Sequence, residues 1–179
     1  MIDDNTAAAL QFSIDRVMEA PELILYYNMG SSSAQVSIVE HTSSKVVEGG
    51  QNKSIGALEV KGKSWDTAVG GYAFDLRMTE LLADRFNAQY AKKGLDVRKN
   101  LKAMTKLRIH ARKVKEILSA NQNIPVSVES LMDELDLRTT VTRAEFEAAS
   151  ADLFARLAGP IDKALIDANI TKDQLTSIE

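Results

Sequence analysis

The sequence has no cysteine, which excludes disulfides, thiolate metal ligands and cysteine nucleophiles. Its two histidines, His41 and His110, have no second histidine or acidic partner at ligand spacing, so neither a metal site nor a histidine-based triad finds support. His41 reads as a residue at a strand end and His110 as one in mid-helix, both ordinary surface or boundary histidines. An excess of basic charge is missing too. With 22 Lys and Arg against 25 Asp and Glu, the net charge of -3 offers no field to hold nucleic acid by counterion release. No apolar run approaches the roughly 20 residues of a membrane span, and Met1-Ile2-Asp3-Asp4-Asn5 lacks the basic and apolar regions of a signal peptide. The residues after Met1 read as the interior of a domain.

The residues that are present suit a folded chain. Hydrophobic residues make up 45% and charged residues 26% of 179 residues, enough for one sizeable core or two small subdomains. Thr6 to Ile14 is alanine-rich, with Leu10 and Ile14 four apart, and predicts a helix buried on that side. Past Pro21, the continuous run Leu23-Ile24-Leu25-Tyr26-Tyr27 predicts a buried strand. The turn Gly30-Ser31-Ser32-Ser33 and the alternation of Val36 and Ile38 complete a hairpin. A polar loop from Glu48 to Lys53 precedes another extended stretch at Ala57 to Val60. From Gly71 the period changes to about 3.6. Phe74, Met78, Leu81, Leu82, Phe86 and Tyr90 share one face, and Leu101, Met104, Leu107, Ala111, Val114 and Leu118 share another. Two long amphipathic helices packed side by side account for both stripes. Val126 and Val128, then Leu135 and Leu137, predict a small hairpin around the solvated carboxylates Asp133, Glu134 and Asp136, whose spacing is not that of a calcium loop. Thr142-Arg143-Ala144-Glu145 is a capping box opening a helix with Phe146, Leu153, Phe154 and Leu157 inward, and Gly159-Pro160 ends that helix and starts the next. A second capping box, Thr171 to Gln174, leaves only a few residues after it.

Chemistry is sparse along the chain. Gly49-Gly50-Gln51-Asn52-Lys53-Ser54 ends like a phosphate-binding P-loop but lacks the glycine before its lysine and reads as a surface loop. Gly30-Ser31-Ser32-Ser33 is the one place where phosphate chemistry is plausible. Small residues let consecutive backbone amides face an anion, and the Ser33 hydroxyl adds a donor.

The order of these segments resembles the seventy-kilodalton heat-shock chaperone family over essentially the whole chain. Asp3 to Leu10 resembles the family's segment ending in Thr-Ala-Ala-Ala. Asn28-Met29-Gly30-Ser31-Ser32-Ser33-Ala34-Gln35-Val36-Ser37-Ile38 is similar to its second phosphate loop, usually Asp-Leu-Gly-Gly-Gly-Thr-Phe-Asp-Val-Ser. Gly70-Gly71-Tyr72-Ala73-Phe74-Asp75-Leu76-Arg77-Met78 resembles the opening of the upper subdomain, and Leu118-Ser119-Ala120 the close of the long adenosine-side helix. Thr142 to Glu147 with Ala151 to Phe154 resembles the return into the lower subdomain.

The resemblance implies an α/β fold of the actin-like ATPase (ribonuclease H-like) class, specifically its second lobe. A lower subdomain would take residues 1–69 and 142–179, and an inserted α+β upper subdomain of two long helices and a small sheet would take 70–141. It implies nucleotide contacts from Gly30, Ser31, Ser32 and Ser33 to phosphate and from Lys115 and Ser119 to adenosine. ATP or ADP with magnesium would bind in the intact domain, with little tight binding by this lobe alone. The first phosphate loop is expected before Met1, and the Gly-Gly-Ser-Thr-Arg motif after Glu179. No catalytic residue and no metal ligand is assigned here. Asn28 and Gln35 stand where the family usually has aspartates, removing charge that would organise cations and an attacking water, so the parent is expected to be a weak ATPase or none. Ser31 and Ser32 replace glycines, and Arg112 and Glu116 interchange a usual Glu and Arg.

The serine-rich turn and the insertion before Ala57 look most like the family's large divergent branch. That branch implies a holdase for unfolded clients and a nucleotide exchange factor for a standard partner chaperone, in the endoplasmic reticulum lumen or, alternatively, the cytoplasm. The exposed charges Lys92, Lys93 and Arg98 suit a docking role for the upper subdomain. A sugar or acetate kinase lobe of the same superfamily is disfavoured by Thr142-Arg143-Ala144-Glu145-Phe146.

Overall fold

The computed structural model describes residues 1–14, 16, 18–48 and 51–179, with the backbone alone for 45–48 and 51–53. The chain forms two compact units, Met1–Gly70 with Ala155–Glu179, and Gly71–Phe154.

The first unit holds helix α1 (Asp4–Ser13) and strands β1 (Glu22–Met29), β2 (Ala34–Glu48) and β3 (Gln51–Asp66). Helix α6 (Gly159–Ala168) and the short strand β6 (Ser177–Ile178) complete it. The sheet order is β3-β2-β1-β6, antiparallel except for the parallel β1–β6 pair. Because side chains alternate along a strand, β1 divides its apolar run between two cores. Leu25 packs with Val36 and Ile38 against Ala164 and Leu165 of α6. Ile24 and Tyr26 pack with Val39 against Ala9 of α1, on the opposite face. Both faces are covered, which is why the strand reads as continuously hydrophobic.

Helix α1 forms where expected, but turned. Leu10 is 44% and Ile14 65% exposed, whereas Asn5 and Ala9 are buried. Asp3 sets this phase by capping the Thr6 N–H at 2.8 Å, and Asn5 Nδ2 anchors the helix to the Tyr26 carbonyl at 3.2 Å. The small Ala9 is the residue that α1 packs against Ile24, Tyr26 and Val39 of the sheet. The polar loop is also shorter than expected, since Gln51 to Ser54 already belong to β3 in register with Lys45 to Glu48. Gly49 and Gly50 lie outside the described residues.

The second unit contains α2 (Gly71–Gln89) and α3 (Leu101–Leu118), joined through single 3-10 turns at Ala91–Lys93 and Val97–Lys99. It continues with the hairpin β4 (Asn123–Met132) and β5 (Leu135–Thr142) and with α4 (Arg143–Ala149). Phe74, Met78, Leu82 and Phe86 of α2 and Leu107, Ala111, Val114 and Leu118 of α3 are buried, together with Val126, Val128, Leu137 and Val141 of the hairpin. Leu101, assigned to the inward stripe, is 81% exposed because it sits on the first turn of α3, ahead of the core. Asp133 and Glu134 form the two-residue hairpin loop with φ of 49° and 59°, the left-handed pair that matches strand twist.

The capping box at Thr142 is formed, with Glu145 accepting from the Thr142 N–H at 2.9 Å and Thr142 Oγ1 from the Glu145 N–H at 3.2 Å. The helix it opens is interrupted. Ser150 leaves helical geometry at φ -114°, ψ 10°, and α5 (Ala151–Arg156) starts afresh, its Leu153 N–H bonded to the Ser150 carbonyl at 2.9 Å. That break turns Phe154 partly outward, at 43% exposure. Arg143 to Phe154 group with α2 and α3, whereas the sequence division placed them with the lower unit. Phe146 and Phe154 pack on Phe74 at centroid distances of 6.2 and 5.0 Å, and Arg85 and Arg77 of α2 pair with Glu145 and Asp152.

Candidate functional site

Antiparallel pairing of β1 and β2 ends at Met29 and Ala34, leaving Gly30 to Ser33 as the connecting turn. The Gly30 N–H donates to the Ser33 carbonyl at 2.9 Å and closes it. Ser31 and Ser32 are exposed, and among the described residues their N–H groups have no protein acceptor. None of the four turn residues has a positive φ. Serines at 31 and 32 therefore adopt this turn without the backbone penalty that a left-handed position would impose.

Asn28 and Gln35 are direct cross-strand partners at the base of the turn. The Gln35 amide donates to Ser33 Oγ at 3.2 Å, so the Ser33 hydroxyl hydrogen remains available to a ligand. A divalent cation fits this set poorly. Both side chains at the base are neutral amides, and hard cations favour carboxylate oxygens. The nearby Asp66 carboxylate is bound by Arg156 at 2.9 Å through both oxygens. An anion suits the turn better, because the Ser31 and Ser32 N–H groups have no acceptor among the described residues, the Ser33 hydroxyl hydrogen is available and the Asp66 charge is paired with Arg156.

In the other unit, Lys115 and Ser119 line one cavity of about 220 Å³ with Leu118, Arg143, Phe146, Glu147 and Phe154. Lys115 Nζ is tethered, 2.6 Å from Asp75 Oδ1 and 3.0 Å from the Gly71 carbonyl. The Ser119 hydroxyl donates to the Glu116 carbonyl at 2.6 Å, leaving its oxygen free as an acceptor. Arg143 fastens this end of α3 through the Leu118 and Ser119 carbonyls, both at 2.9 Å, satisfying groups that a helix end leaves unpaired. Asp75 and Arg143 thus shape the cavity although sequence reasoning assigned them no site role. Both lie within the motifs already quoted, and only their partners were hidden. Arg112 and Glu116 form a charge pair at 3.1 Å. Of the three cations for which the sequence suggested a docking role, Arg98 is committed to Glu80 and Asp84 at 2.8 and 2.7 Å.

His41 is not a surface or boundary residue. It is fully buried in β2, with Nε2 3.0 Å from the Tyr26 hydroxyl and the Phe12 ring tilted against it at a centroid distance of 5.5 Å. The long β2–β3 hairpin carries it into the sheet interior, where the sequence suggested a strand end. Burial holds its pKa below the ordinary value and pushes that of Tyr26 up to about 12.

A mixed sheet covered by helices on both faces, a glycine-serine turn between its first two strands and an α+β unit inserted in the sequence define a nucleotide-binding lobe of the actin-like ATPase class. The chain belongs to the Hsp70 protein family, whose model matches residues 1–179. It is 37% identical over 180 residues to heat shock 70 kDa protein 17 of Arabidopsis thaliana, covering 100% of this chain and 21% of that relative. It is 38% identical over 181 residues to hypoxia up-regulated protein 1 of Danio rerio and 37% identical over 182 residues to that of Homo sapiens. Those alignments cover 99% of this chain and 18% of each relative. The chain therefore spans about a fifth of the length of the curated relatives it matches.

Proposed function

We propose that this chain supplies, within a large heat-shock-type chaperone, the second lobe's share of an adenine-nucleotide site. The Gly30–Ser33 turn takes the phosphates, and Lys115 and Ser119 face the adenosine. The observation that carries this reading is the turn, with two consecutive N–H groups, at Ser31 and Ser32, that have no acceptor among the described residues, above a base of neutral amides. Such a turn attracts a polyanion without help from a side-chain cation. Within the second unit, Lys115 is a donor held in place by Asp75.

The same base argues against fast turnover. Asn28 and Gln35 offer dipoles where charge would gather cations and orient water, and hydrolysis depends on that organisation. The parent accordingly works by binding. It holds unfolded clients and acts as a nucleotide exchange factor for a standard heat-shock chaperone of the same compartment, the endoplasmic reticulum lumen, with the cytoplasm as the alternative. Compartment and exchange role rest on the resemblance of the Met29 to Ser33 segment to the large branch.

Steady-state ATP turnover by the full-length protein tests the binding-without-cycling reading. Wild type is expected to turn over slowly, and the double variant Asn28→Asp, Gln35→Asp faster. Ordinary chaperone rates in wild type, unchanged by Asn28→Asp, would contradict it.

A further inference from the structure

We infer that Gly70 is a positioning residue for the phosphate-facing turn and that the Asp66–Arg156 pair holds Gly70 in place. A Cβ at position 70 would stand 2.5 Å from the Ser31 carbonyl oxygen, 2.7 Å from the Ser33 nitrogen and 2.8 Å from the Ser31 carbonyl carbon. All three are backbone atoms, so no side-chain rotation relieves the collision. Gly70 does not adopt a left-handed φ, so glycine is required for close approach and not for backbone conformation. The turn rests directly on the Gly70 backbone.

Three observations fix that support. The Asp66 carboxylate receives a two-point bond from Arg156, at 2.9 Å on each oxygen, in the forked geometry that specifies orientation as well as distance. Asp66 Oδ1 also accepts the Ala68 N–H at 2.8 Å, curling the chain back after β3. The Val69 side chain is completely buried and pins the segment between that curl and Gly70. Asp66 itself is in register with Ala34, the residue after Ser33, so one residue ties the exit of the turn to its backing. Neither Gly70 nor Arg156 needs to touch a ligand. Their effect is to set where the Ser31 and Ser32 N–H groups stand.

The inference rests on the phosphate role proposed above, and calorimetric titration of the full-length protein with ADP and with adenosine separates the two. Gly70→Ala is expected to weaken ADP binding by ~10-fold or more while leaving adenosine affinity within about twofold, since only the phosphate end is displaced. Arg156→Gln is expected to shift ADP in the same direction by roughly threefold, and Arg156→Lys to recover part of that loss because charge returns without the fork. General destabilisation would lower both affinities together. If Gly70→Ala does not fold, the two Arg156 variants decide. Wild type that binds neither ligand overturns the phosphate role and this inference together. Wild type that binds ADP, with variants that keep its ADP-to-adenosine affinity ratio, overturns the positioning inference alone.

Discussion

Replacing Gly62 by alanine should disrupt the seam between β3 and α6. Gly62 is in register with Ile38, beside the irregularity that offsets Lys61. A Cβ there would lie 2.6 Å from the Ala164 carbonyl oxygen, 2.7 Å from the Ala168 nitrogen and 2.9 Å from Ala168 Cβ. Favourable carbon contacts begin near 3.5 Å, so α6 must retreat by about 1 Å, loosening Ala164 and Leu165 on Leu25, Val36 and Ile38. Overpacking of this kind costs about 1–3 kcal/mol. At ~2–4 °C per kcal/mol for a chain of this length, the melting temperature should fall by roughly 2–12 °C. Gly56→Ala in the same strand is the control, because among the described residues its Cβ would meet Ser13 O at 3.6 Å and Arg16 O at 4.0 Å, both ordinary contacts. That change should be neutral or stabilising by about 0.5–1 kcal/mol through reduced entropy of the unfolded chain. Adding Ala168→Gly to Gly62→Ala removes one collision of three and should restore only a minority of the loss. Thermal unfolding followed by circular dichroism reads all three variants. Equal melting temperatures for wild type and Gly62→Ala, or an equal fall for Gly56→Ala, would refute the reasoning.

The buried Tyr26–His41 pair should shape the stability profile at both ends of the pH scale. With the folded pKa of His41 depressed by burial, its contribution is full above the unfolded value of 6.5 and is lost as pH falls through the folded value. With Tyr26 raised to about 12, its contribution is full below 10 and declines between 10 and 12. Urea unfolding across pH should therefore show a smaller alkaline decline in Tyr26→Phe, with the contribution of Tyr27, whose pKa burial also raises, left in place and the acid decline kept, and a profile unaltered by that variant would count against the pair. Lys115→Ala should cost about 1–2 kcal/mol by leaving the half-buried Asp75 without its cation. Asp75→Ala in that background should add little, as a double-mutant cycle would record. Additive losses would show that the two side chains act separately.

Much of this fold was legible because two-sided burial leaves a strong signature. The run Leu23 to Tyr27 could only be a covered strand, and the phases of Phe74 to Phe86 and Leu107 to Leu118 located both long helices. Features that depend on what a neighbour permits were not legible. Leu10 and Ile14 had the spacing of a buried face, yet α1 packs Ala9 against the sheet instead. Nothing local at Ser150 marks a helix break, since its cause lies in the packing of Phe146 and Phe154 on Phe74. The same holds at the site. Gly30 to Ser33 stood out through composition, and Lys115 and Ser119 through resemblance. The support from Gly70, the Asp75 tether and the Arg143 clasp are contacts between segments far apart in sequence. His41 was misplaced because β2 runs well past the point where its alternation stops being apolar.

The central claim is that backbone N–H groups of the Gly30–Ser33 turn hold nucleotide phosphate. Ser31→Pro tests it most directly, deleting one of those donors at a position where φ is not left-handed and whose N–H has no acceptor among the described residues. Titrating ADP into the full-length protein by calorimetry should show one saturable site in wild type and an affinity ~10-fold lower in Ser31→Pro, with adenosine binding unaffected. No ADP binding by wild type, or equal ADP affinity in the two proteins, would contradict the claim.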